Sequence, residues 1–538
     1  MDGSGRDPLG LSRVSDALTN FLLPSIITTT DRARYYSFYT WAIADFETLR
    51  KSKSGRVSFE EELQRREAAF ALASRLGKRS ELPVVGVRKV DEALASADES
   101  ANVNTNFLVL PSNPAGGYGQ YYSGCLHALD LVRVDEQGEW TISTEHGRKL
   151  ADAFTVATAQ SPYLAGNWRT RARVPKDVLR ESAELFSLDA LGGRPADAER
   201  ELLINLFFNL GESPSATRPL NRQATLGSFL DVLRACEEAG IKVTRREVDG
   251  GVVFWPHYYG GLADDDHALL AYQPVPAFVE AHAFWRQFCA HQFLAFALEE
   301  FLAAVLDALS PHPEGLTKGA LLDELANDAF VQDLEKVLNK ECGSPSALLK
   351  AIGVVGIPDV ATSLAVTKRF HGENDLNEWS ICWDRDESPQ TRLGRATLLL
   401  ALLYGKWRGR NDEEALLRVA DEAKGELWLG TIFSWLDEWQ TEPLDWREAT
   451  ARMLERVAMR HDKVKFQKRK LDASWFDQAN GRFTKQQDIV PGFRASRHGN
   501  AATVLQDLGL IKHSGLDEPL CLTARGKQVL KEVIRLRT

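Results

Sequence analysis

The chain has 538 residues, which is too many for a single hydrophobic core, so its length predicts two to four domains. Its composition, 44% hydrophobic and 26% charged, is ordinary for a soluble globular protein. No apolar run approaches the roughly 20 residues that a membrane-spanning helix needs, and Pro24 interrupts the most apolar N-terminal stretch too early for a signal peptide. We therefore expect a cytoplasmic protein that does not bind membranes.

The net charge of −10 is unevenly distributed along the chain. Residues 451–538 hold 18 Lys and Arg against 9 Asp and Glu, a surplus of +9, so the remaining residues sum to −19. An acidic body with a basic tail predicts that any nucleic-acid contact is concentrated at the C-terminus. The alternative is that the basic run at residues 463–470 is a solvated helix face.

The most distinctive local sequence lies at residues 22–41, where three threonines and an aspartate precede an aromatic stretch. Thr28 to Asp31 predict a helix N-terminus, because their side-chain oxygens can accept hydrogen bonds from unpaired amide groups. Arg32 and Arg34 among the aromatic side chains can hold a phosphate or stack on a base. The alternative is an aromatic helix docked on the body, with both arginines paired to carboxylates.

A glycine-rich segment at residues 116–119 precedes the next helical pattern. It does not match a dinucleotide-binding fingerprint, because no strand and no following acidic residue frame it. We interpret it as a turn before a helix.

The region after this turn is repeated near the C-terminus. The repeat has one constant offset through a helix, a strand, a wing and a second helix. Leu126, Leu129, Leu131, Val132, Thr144, Gly147 and Arg148 align with Leu505, Leu508, Leu510, Ile511, Thr523, Gly526 and Lys527. The alignment predicts two winged helices, one near each end of the chain.

A long helical body separates the two repeats. Helical spacing of Leu, Phe and Ala occurs at residues 197–210, 225–238, 279–309, 316–338 and 391–404, and residues 413–470 read as long Trp-rich helices. Residues 241–245 and 251–255 flank an Asp-Gly-Gly turn and predict a β-hairpin, and residues 365–370 are also β-like.

These patterns define a mainly α, multi-domain protein with a helical body and two winged-helix (α+β) modules. We divide the chain into five consecutive segments. They are an N-terminal helical region (1–98), the first winged-helix module (99–156), a helical body with a hairpin (157–310), a second helical unit (311–445) and a basic helix with the second module (446–538).

The second winged helix differs from the first in its cations, which duplex DNA requires. Lysines and arginines of the basic run would neutralise phosphates, and side chains of the recognition helix would reach base edges. The predicted DNA-contacting residues are Lys463, Lys465, Lys468, Arg469, Lys470, Arg494, Arg497, Asn500, Thr503 and Lys512. The first module offers mainly neutral side chains and is better suited to a protein surface.

The sequence offers only weak candidates for a catalytic or metal-binding site. The six cysteines are scattered without a C-x-x-C pair, which gives no support for a zinc or redox motif. His257, Asp266 and their neighbours form a carboxylate and imidazole cluster whose spacing matches no metal motif. We therefore predict no cofactor and no metal, and the absence of a phosphate loop assigns any ATP use to a partner.

Two stretches resemble known groups. The segment RARYYSFYTW at residues 32–41, with residues 23–26 before it, resembles uncharacterised bacterial proteins associated with defence islands and mobile elements, beside ATPases or helicases. Residues 505–511 (L-x-x-L-G-L-I) and 522–526 (L-T-x-x-G) resemble the MarR-type winged helix, which implies a fold more than a function. Winged helices near both ends of a helical body are also similar to the kleisin architecture.

Three hypotheses follow from the sequence. The first is a non-enzymatic adaptor of a bacterial multi-protein system for anti-phage defence that binds double-stranded DNA and partner subunits such as an ATPase or helicase. The second is a protein scaffold in which both winged helices dock a partner. The third is a metal-dependent nuclease or nucleotide-processing enzyme with a site near Arg32 and Arg34, or near His257 and Asp266.

Overall fold

A computed structural model describes residues 7–52, 58–78, 83–97, 102–143, 145–210, 220–264, 267–352, 377–383, 388–408, 427–468, 474–513 and 515–538. The chain divides into two compact units, each built from discontinuous segments. Unit 1 comprises Met1–Thr19, Val253–Gln273 and His282–Ala495, and unit 2 comprises Asn20–Val252, Pro274–Ala281 and Ser496–Thr538.

The protein is mainly helical with small antiparallel sheets, as predicted. The α-helices are Ser12–Leu22, Ala33–Ser52, Phe59–Leu76, Val87–Ala95, Ser123–Ala128, Glu145–Thr158, Pro162–Ala165, Lys176–Ser182, Asp197–Phe208, Leu220–Ala239, Val279–Leu309, Lys318–Leu325, Asp328–Leu338, Pro345–Ile352, Glu378–Trp383, Pro389–Trp407, Leu429–Thr441, Trp446–Lys468, His498–Asp507 and Ala524–Arg537. Among the helices of the described ranges, none combines the length and apolar character needed to cross a lipid bilayer.

The strands are short and pair only antiparallel. Two-stranded pairs join Asn102–Asn104 to Arg173–Pro175, Val132–Val134 to Trp140–Ile142, Gly261–Asp264 to His267–Ala271, and Ile511–Lys512 to Cys521–Leu522. A three-stranded sheet in unit 1 has the order Leu316–Thr317, Arg482–Lys485, Phe476–Ala479.

Helical periodicity predicted the long helices well. The helix Val279–Leu309 has both predicted ends, because a continuous apolar pattern runs through it. The stretch at residues 316–338 instead forms a two-residue strand and two helices. The break falls at Asn327, whose side chain accepts hydrogen bonds from the amides of Ala329 and Phe330 and so starts the second helix.

The hairpin predicted at residues 241–245 and 251–255 is wrong. Residues Asp249–Tyr259 form a π-helical segment, and the hairpin lies after it, at Gly261–Asp264 and His267–Ala271. Consecutive residues from Val252 to Phe254 are all buried, so this run has no exposed face to alternate with a buried one. The β-like piece at residues 365–370 lies outside the described residues.

The core of unit 2 is built around the helix Ala33–Ser52. Its aromatic side chains are buried on several faces, and Tyr35 stacks on Tyr39 with ring centroids 5.5 Å apart. Phe38 stacks on Phe70 of the neighbouring helix at 4.3 Å. The aromatic pattern of residues 35–42 therefore serves packing, because offset aromatic contacts add to the burial of large apolar areas.

The two repeats share a helix–hairpin–helix arrangement, at residues 118–158 (N-terminal module) and 498–537 (C-terminal module), both in unit 2. The Leu131 amide donates to Leu126 O at 3.0 Å, and the equivalent Leu510 amide donates to Leu505 O at 2.9 Å. The preceding residue has a positive φ in both modules, 56° at Asp130 and 69° at Gly509. The constant sequence offset thus extends to backbone hydrogen bonds.

The hairpins of the two modules differ by one residue. Val132 pairs with Ile142 in the N-terminal module, whereas Ile511 pairs with Leu522 in the C-terminal module. The first strands keep the common offset, and the second strand of the C-terminal module is displaced by one position. Thr144 lies outside the described residues, while Thr523 caps the last helix by accepting the Gly526 amide at 3.0 Å.

A glycine in each module lets its last helix approach the chain before the hairpin. A Cβ on Gly147 would lie 2.5 Å from Leu131 O, and a Cβ on Gly526 would lie 2.1 Å from Leu510 O. We expect Gly147→Ala and Gly526→Ala each to destabilise unit 2 by about 1–3 kcal/mol, because a backbone oxygen must move. Urea unfolding of both variants measures this effect.

Gly124→Ala is the matched control, because no atom lies within 4 Å of its Cβ position in the helix Ser123–Ala128. This substitution should be neutral or stabilising, since Ala is the better helix former. Equal urea midpoints for the Gly526 variant and this control would contradict the proposed close approach.

Candidate functional site

The helix His498–Asp507 is the candidate site, because the sequence predicted that it enters the major groove of DNA. Every residue of this helix is buried or half-buried. A recognition helix must present one face to base edges. In the structure, one side of this helix is buried within unit 2, whereas the side with Asn500, Thr503 and Gln506 is half-buried.

Three predicted base-contacting residues bind other parts of unit 2. Arg497, which is 9% exposed, donates from Nη1 to Asn20 Oδ1 at 2.8 Å. The Asn500 side-chain amide donates to Thr28 O at 3.1 Å, and Arg245 donates to Thr503 Oγ1 at 2.5 Å. Each of these polar groups therefore has an intramolecular partner.

Arg32 joins this site from the other end of the chain. Its Nε and Nη2 donate to the two carboxylate oxygens of Asp507 at 2.9 and 3.0 Å, in a bidentate ion pair that spans 475 positions. The Ala33 amide donates to the same carboxylate at 3.0 Å. The Asp507 carboxylate thus accepts a hydrogen bond from the first turn of the helix Ala33–Ser52, where the helix dipole favours a negative charge. The second alternative for Arg32 predicted a carboxylate partner, but the sequence did not identify it as Asp507.

Arg34 is the centre of a separate, fully buried ion pair. It donates from Nε and Nη2 to Glu199 at 3.2 and 3.1 Å and from Nη1 to Ser187 O at 2.6 Å. The Ser37 hydroxyl donates to the same carboxylate, and the Arg34 guanidinium lies over the Phe154 ring. The sequence allowed two roles for Arg34, binding a phosphate or base, or pairing with a carboxylate. The structure has the second.

The remaining predicted DNA-contacting residues are divided between the two units. In unit 1, Arg494 pairs with Glu299 at 2.5 Å, and Lys465 donates to Ser474 at 3.1 Å and Asp477 at 3.3 Å. Burial raises the pKa of Glu299 to about 7 despite Arg494. Two of the predicted DNA-contacting lysines are exposed, Lys463 in unit 1 and Lys512 in unit 2. Arg469, Lys470 and the side chain of Lys468 lie outside the described residues.

The imidazole of His257 contacts another histidine. His257 Nδ1 lies 3.0 Å from His282 Nδ1, and Arg286 Nη2 lies 2.9 Å from His282 Nε2. Because Arg286 can only donate, His282 carries its proton on Nδ1 and donates to His257. Burial, together with the positive charge of the neighbouring Arg286, lowers the pKa of His282 to about 3. Asp265 and Asp266 lie outside the described residues.

Within the described ranges, no group of three or more His, Cys, Asp or Glu side chains is arranged to hold a metal ion.

The carboxylate of Glu378 is buried in a cluster of polar side chains beside Lys406. Lys406 Nζ lies 2.8 Å from this carboxylate, and the hydroxyls of Tyr258 and Tyr259 donate to it.

Two exposed features of these units were not predicted as sites. On the helix Trp446–Lys468, Met459 is 65% exposed and Phe466 is 79% exposed, seven residues apart, and we call these two residues the outer stripe. On the last helix of the chain, Lys527, Lys531 and Arg535 are exposed at four-residue spacing. The stripe is apolar and the second surface is cationic.

The glycine-rich segment encloses a buried carboxyl group that the sequence analysis missed. The Gly117 amide donates to Glu67 Oε1 at 2.9 Å, and the Tyr39 hydroxyl donates to the same oxygen. Gly116 has a φ of 56°, and a Cβ there would lie 1.9 Å from Glu67 Oε2, so a larger residue would strain the turn and displace the carboxyl group. Burial raises the pKa of Glu67 to about 7. The glutamate stands directly before Ala68, Ala69 and Phe70, an apolar run that signalled its burial.

In comparisons with protein-family models, curated proteins and solved structures, no match to this chain was found.

Glu67 makes the stability of unit 2 depend on pH. Because its folded pKa is near 7 against an ordinary value of 4.5, the folded state retains a proton that the unfolded state releases. Stability should therefore fall as pH rises from about 4.5 to about 7, by up to about 3 kcal/mol. Glu67→Gln should remove this pH dependence, because a side-chain amide does not titrate in this range. Its oxygen can still accept the Gly117 amide, so the fold should be kept.

Thermal unfolding of the wild type and Glu67→Gln across pH 5 to 8 measures the difference. Glu60→Gln, at an exposed position of the same helix, is the control and should keep the wild-type slope. Parallel pH profiles for the wild type and Glu67→Gln would show that the carboxyl does not titrate in this range.

Proposed function

We propose that this chain is a non-enzymatic adaptor subunit that binds a helix of a partner protein through the outer stripe, Met459 and Phe466. The observation that carries the proposal is the exposure of these two large apolar side chains, 65% and 79%, on one face of a long helix. In a soluble protein such side chains on a single helical face mark an interaction surface.

The spacing of the stripe fits a partner helix. Residues seven apart occupy the same position of a heptad, so Met459 and Phe466 form one seam along the helix. The exposed Asp462 and Lys463 lie between them in sequence and flank the seam on opposite sides. A partner helix with apolar residues at the same spacing would bury both side chains, and charges beside the seam would set its orientation.

The covered helix His498–Asp507 favours protein binding over sequence-specific DNA reading. Arg497, Asn500 and Thr503 would have to exchange their bonds within unit 2 for base contacts. Exposing them would also separate Arg32 from Asp507 and leave buried charge without its partner, which costs several kcal/mol. We infer that the two modules are winged helices used as internal building blocks.

A second candidate function is contact with the DNA backbone through the last helix. Lys527, Lys531 and Arg535 follow one another at intervals of four residues, and Lys512 is exposed on the first strand of the same module. Such a row of cations can neutralise phosphates without reading bases, although Lys527 also pairs with Glu237 at 2.9 Å. This candidate retains the DNA-binding adaptor and moves its contacts away from the recognition helix.

Both candidates are compatible with a subunit of a bacterial multi-protein system beside an ATPase or helicase. Membership of an anti-phage defence system stays a prediction that rests on the N-terminal sequence alone.

One set of full-length variants separates the two candidates. Tagged wild type, Met459→Ser/Phe466→Ser and Lys527→Ala/Lys531→Ala/Arg535→Ala are purified from the source cells, their co-purifying proteins are quantified, and duplex-DNA affinity is measured across a salt series. The stripe variant should lose about tenfold or more of its major partner, because the apolar contact area is removed. It should bind DNA as the wild type does, and the triple variant should keep the partner.

Val490→Ser is the matched control, because Val490 is 88% exposed and lies outside the helix that carries the stripe. It should retain the partner. Partner loss in both serine variants, or in neither, would contradict docking on the stripe. Tight DNA binding with a steep salt slope that only the triple variant flattens would establish the second candidate.

A further inference from the structure

A small cavity in unit 1 lies among the helices Asp328–Leu338, Glu378–Trp383 and Pro389–Trp407. Its volume is about 210 Å³, and its wall is largely aliphatic, with Leu334, Ile381 and Leu398 among the lining residues. Cavities with an apolar wall and a few polar groups are the usual form of small-molecule sites.

Gly394 creates the space for this cavity. It lies in the interior of the helix Pro389–Trp407, where glycine costs about 1 kcal/mol relative to alanine. The closest atom to its Cβ position is Leu334 Cδ2, at 4.0 Å. Packing therefore does not require a glycine here, and its missing side chain leaves the cavity open.

Among the described residues of the wall, Asp333 is the carboxylate without an ion-pair partner. Its carboxylate accepts the Thr391 hydroxyl at 3.3 Å and forms no ion pair within the described ranges. The arginine of the wall, Arg395, is paired with the buried Glu300 at 3.2 Å. Arg392 lies 3.3 Å from Glu300 and 2.8 Å from Asp307. The positive charges of the two arginines therefore balance the negative charges of these two carboxylates.

The remaining charge of Asp333 selects the ligand. A cation or a strong hydrogen-bond donor beside this carboxylate is attracted, whereas an anion is repelled. The aliphatic wall favours a short hydrocarbon body, and a chain of about six carbons fills a cavity of this size at the density of protein interiors.

We infer that this cavity is a binding site for a small alkylammonium ligand, with its ammonium group on Asp333 and its hydrocarbon body against Leu334, Ile381 and Leu398. This inference is independent of the proposed adaptor function.

The test compares three probes of equal chain length against the full-length protein: n-hexylamine, which is protonated at pH 7, 1-hexanol and hexanoate. Isothermal titration calorimetry at fixed salt should give a Kd below about 1 mM for hexylammonium. Hexanoate should bind about tenfold or more weakly than hexylammonium, because Asp333 repels it.

Two variants assign the binding to this cavity. Asp333→Asn should bring the affinities of hexylammonium and hexanol to within about twofold of each other, because the charge that separates them is gone. Gly394→Leu should abolish binding of all three probes by filling the cavity. It should melt no lower than the wild type, since leucine is a better helix former than glycine. Asp328→Asn, an exposed change on the same helix as Asp333, is the control and should keep the wild-type preference.

The inference is overturned if hexylammonium does not bind at millimolar concentration, or if hexanoate binds as well as hexylammonium does. It is also overturned if Gly394→Leu folds and still binds, since the ligand would then lie elsewhere. A Gly394→Leu variant that does not fold leaves Asp333→Asn to decide, because a retained preference for the ammonium probe would exclude the carboxylate as its partner.

Discussion

The ion pair between Arg32 and Asp507 is the constraint on which unit 2 depends. It joins residues 475 positions apart and holds the first turn of the helix Ala33–Ser52 against the end of the helix His498–Asp507. Arg32 is only 3% exposed, so loss of either partner would leave a buried charge uncompensated. The C-terminal module is therefore part of the same packed unit as the N-terminal aromatic helix. Its first helix uses its polar side chains inside the protein.

Much of the fold follows from sequence periodicity, and the failures have physical causes. The helix Val279–Leu309 and the helix–hairpin–helix order of the two repeats were predictable, because apolar spacing and turn residues act locally. The segment Asp249–Tyr259 was misassigned as part of a hairpin, since a short apolar run buried on all sides has no period that separates strand from helix. For Arg32 and Arg34, the sequence indicated two roles, but periodicity cannot identify carboxylate partners that lie 475 and 165 positions away. The glycine-rich turn around Glu67 was missed because periodicity does not show which carboxylate accepts the Gly117 amide, 50 positions away.

The outward-facing features of the two units differ from those that the sequence singled out. The basic run at residues 463–470 drew attention to the helix Trp446–Lys468, and the large apolar side chains that the structure describes as exposed there are Met459 and Phe466. In the C-terminal module, the exposed cations lie on the first strand and the last helix instead of the covered helix. A charge pattern in a sequence thus locates a surface without deciding whether its cations or its apolar side chains bind the partner.

The helix His498–Asp507 is bonded to other segments of unit 2, and we infer that it does not read DNA bases. Hydrogen exchange of its backbone amides, in the full-length protein with and without saturating duplex DNA, tests this most directly. We expect the backbone amides of this helix to exchange slowly, at rates comparable to those of the helix Ala33–Ser52, and to show no change when DNA is added. Fast exchange without DNA together with new protection on adding it would show that the helix leaves its packed position to bind DNA.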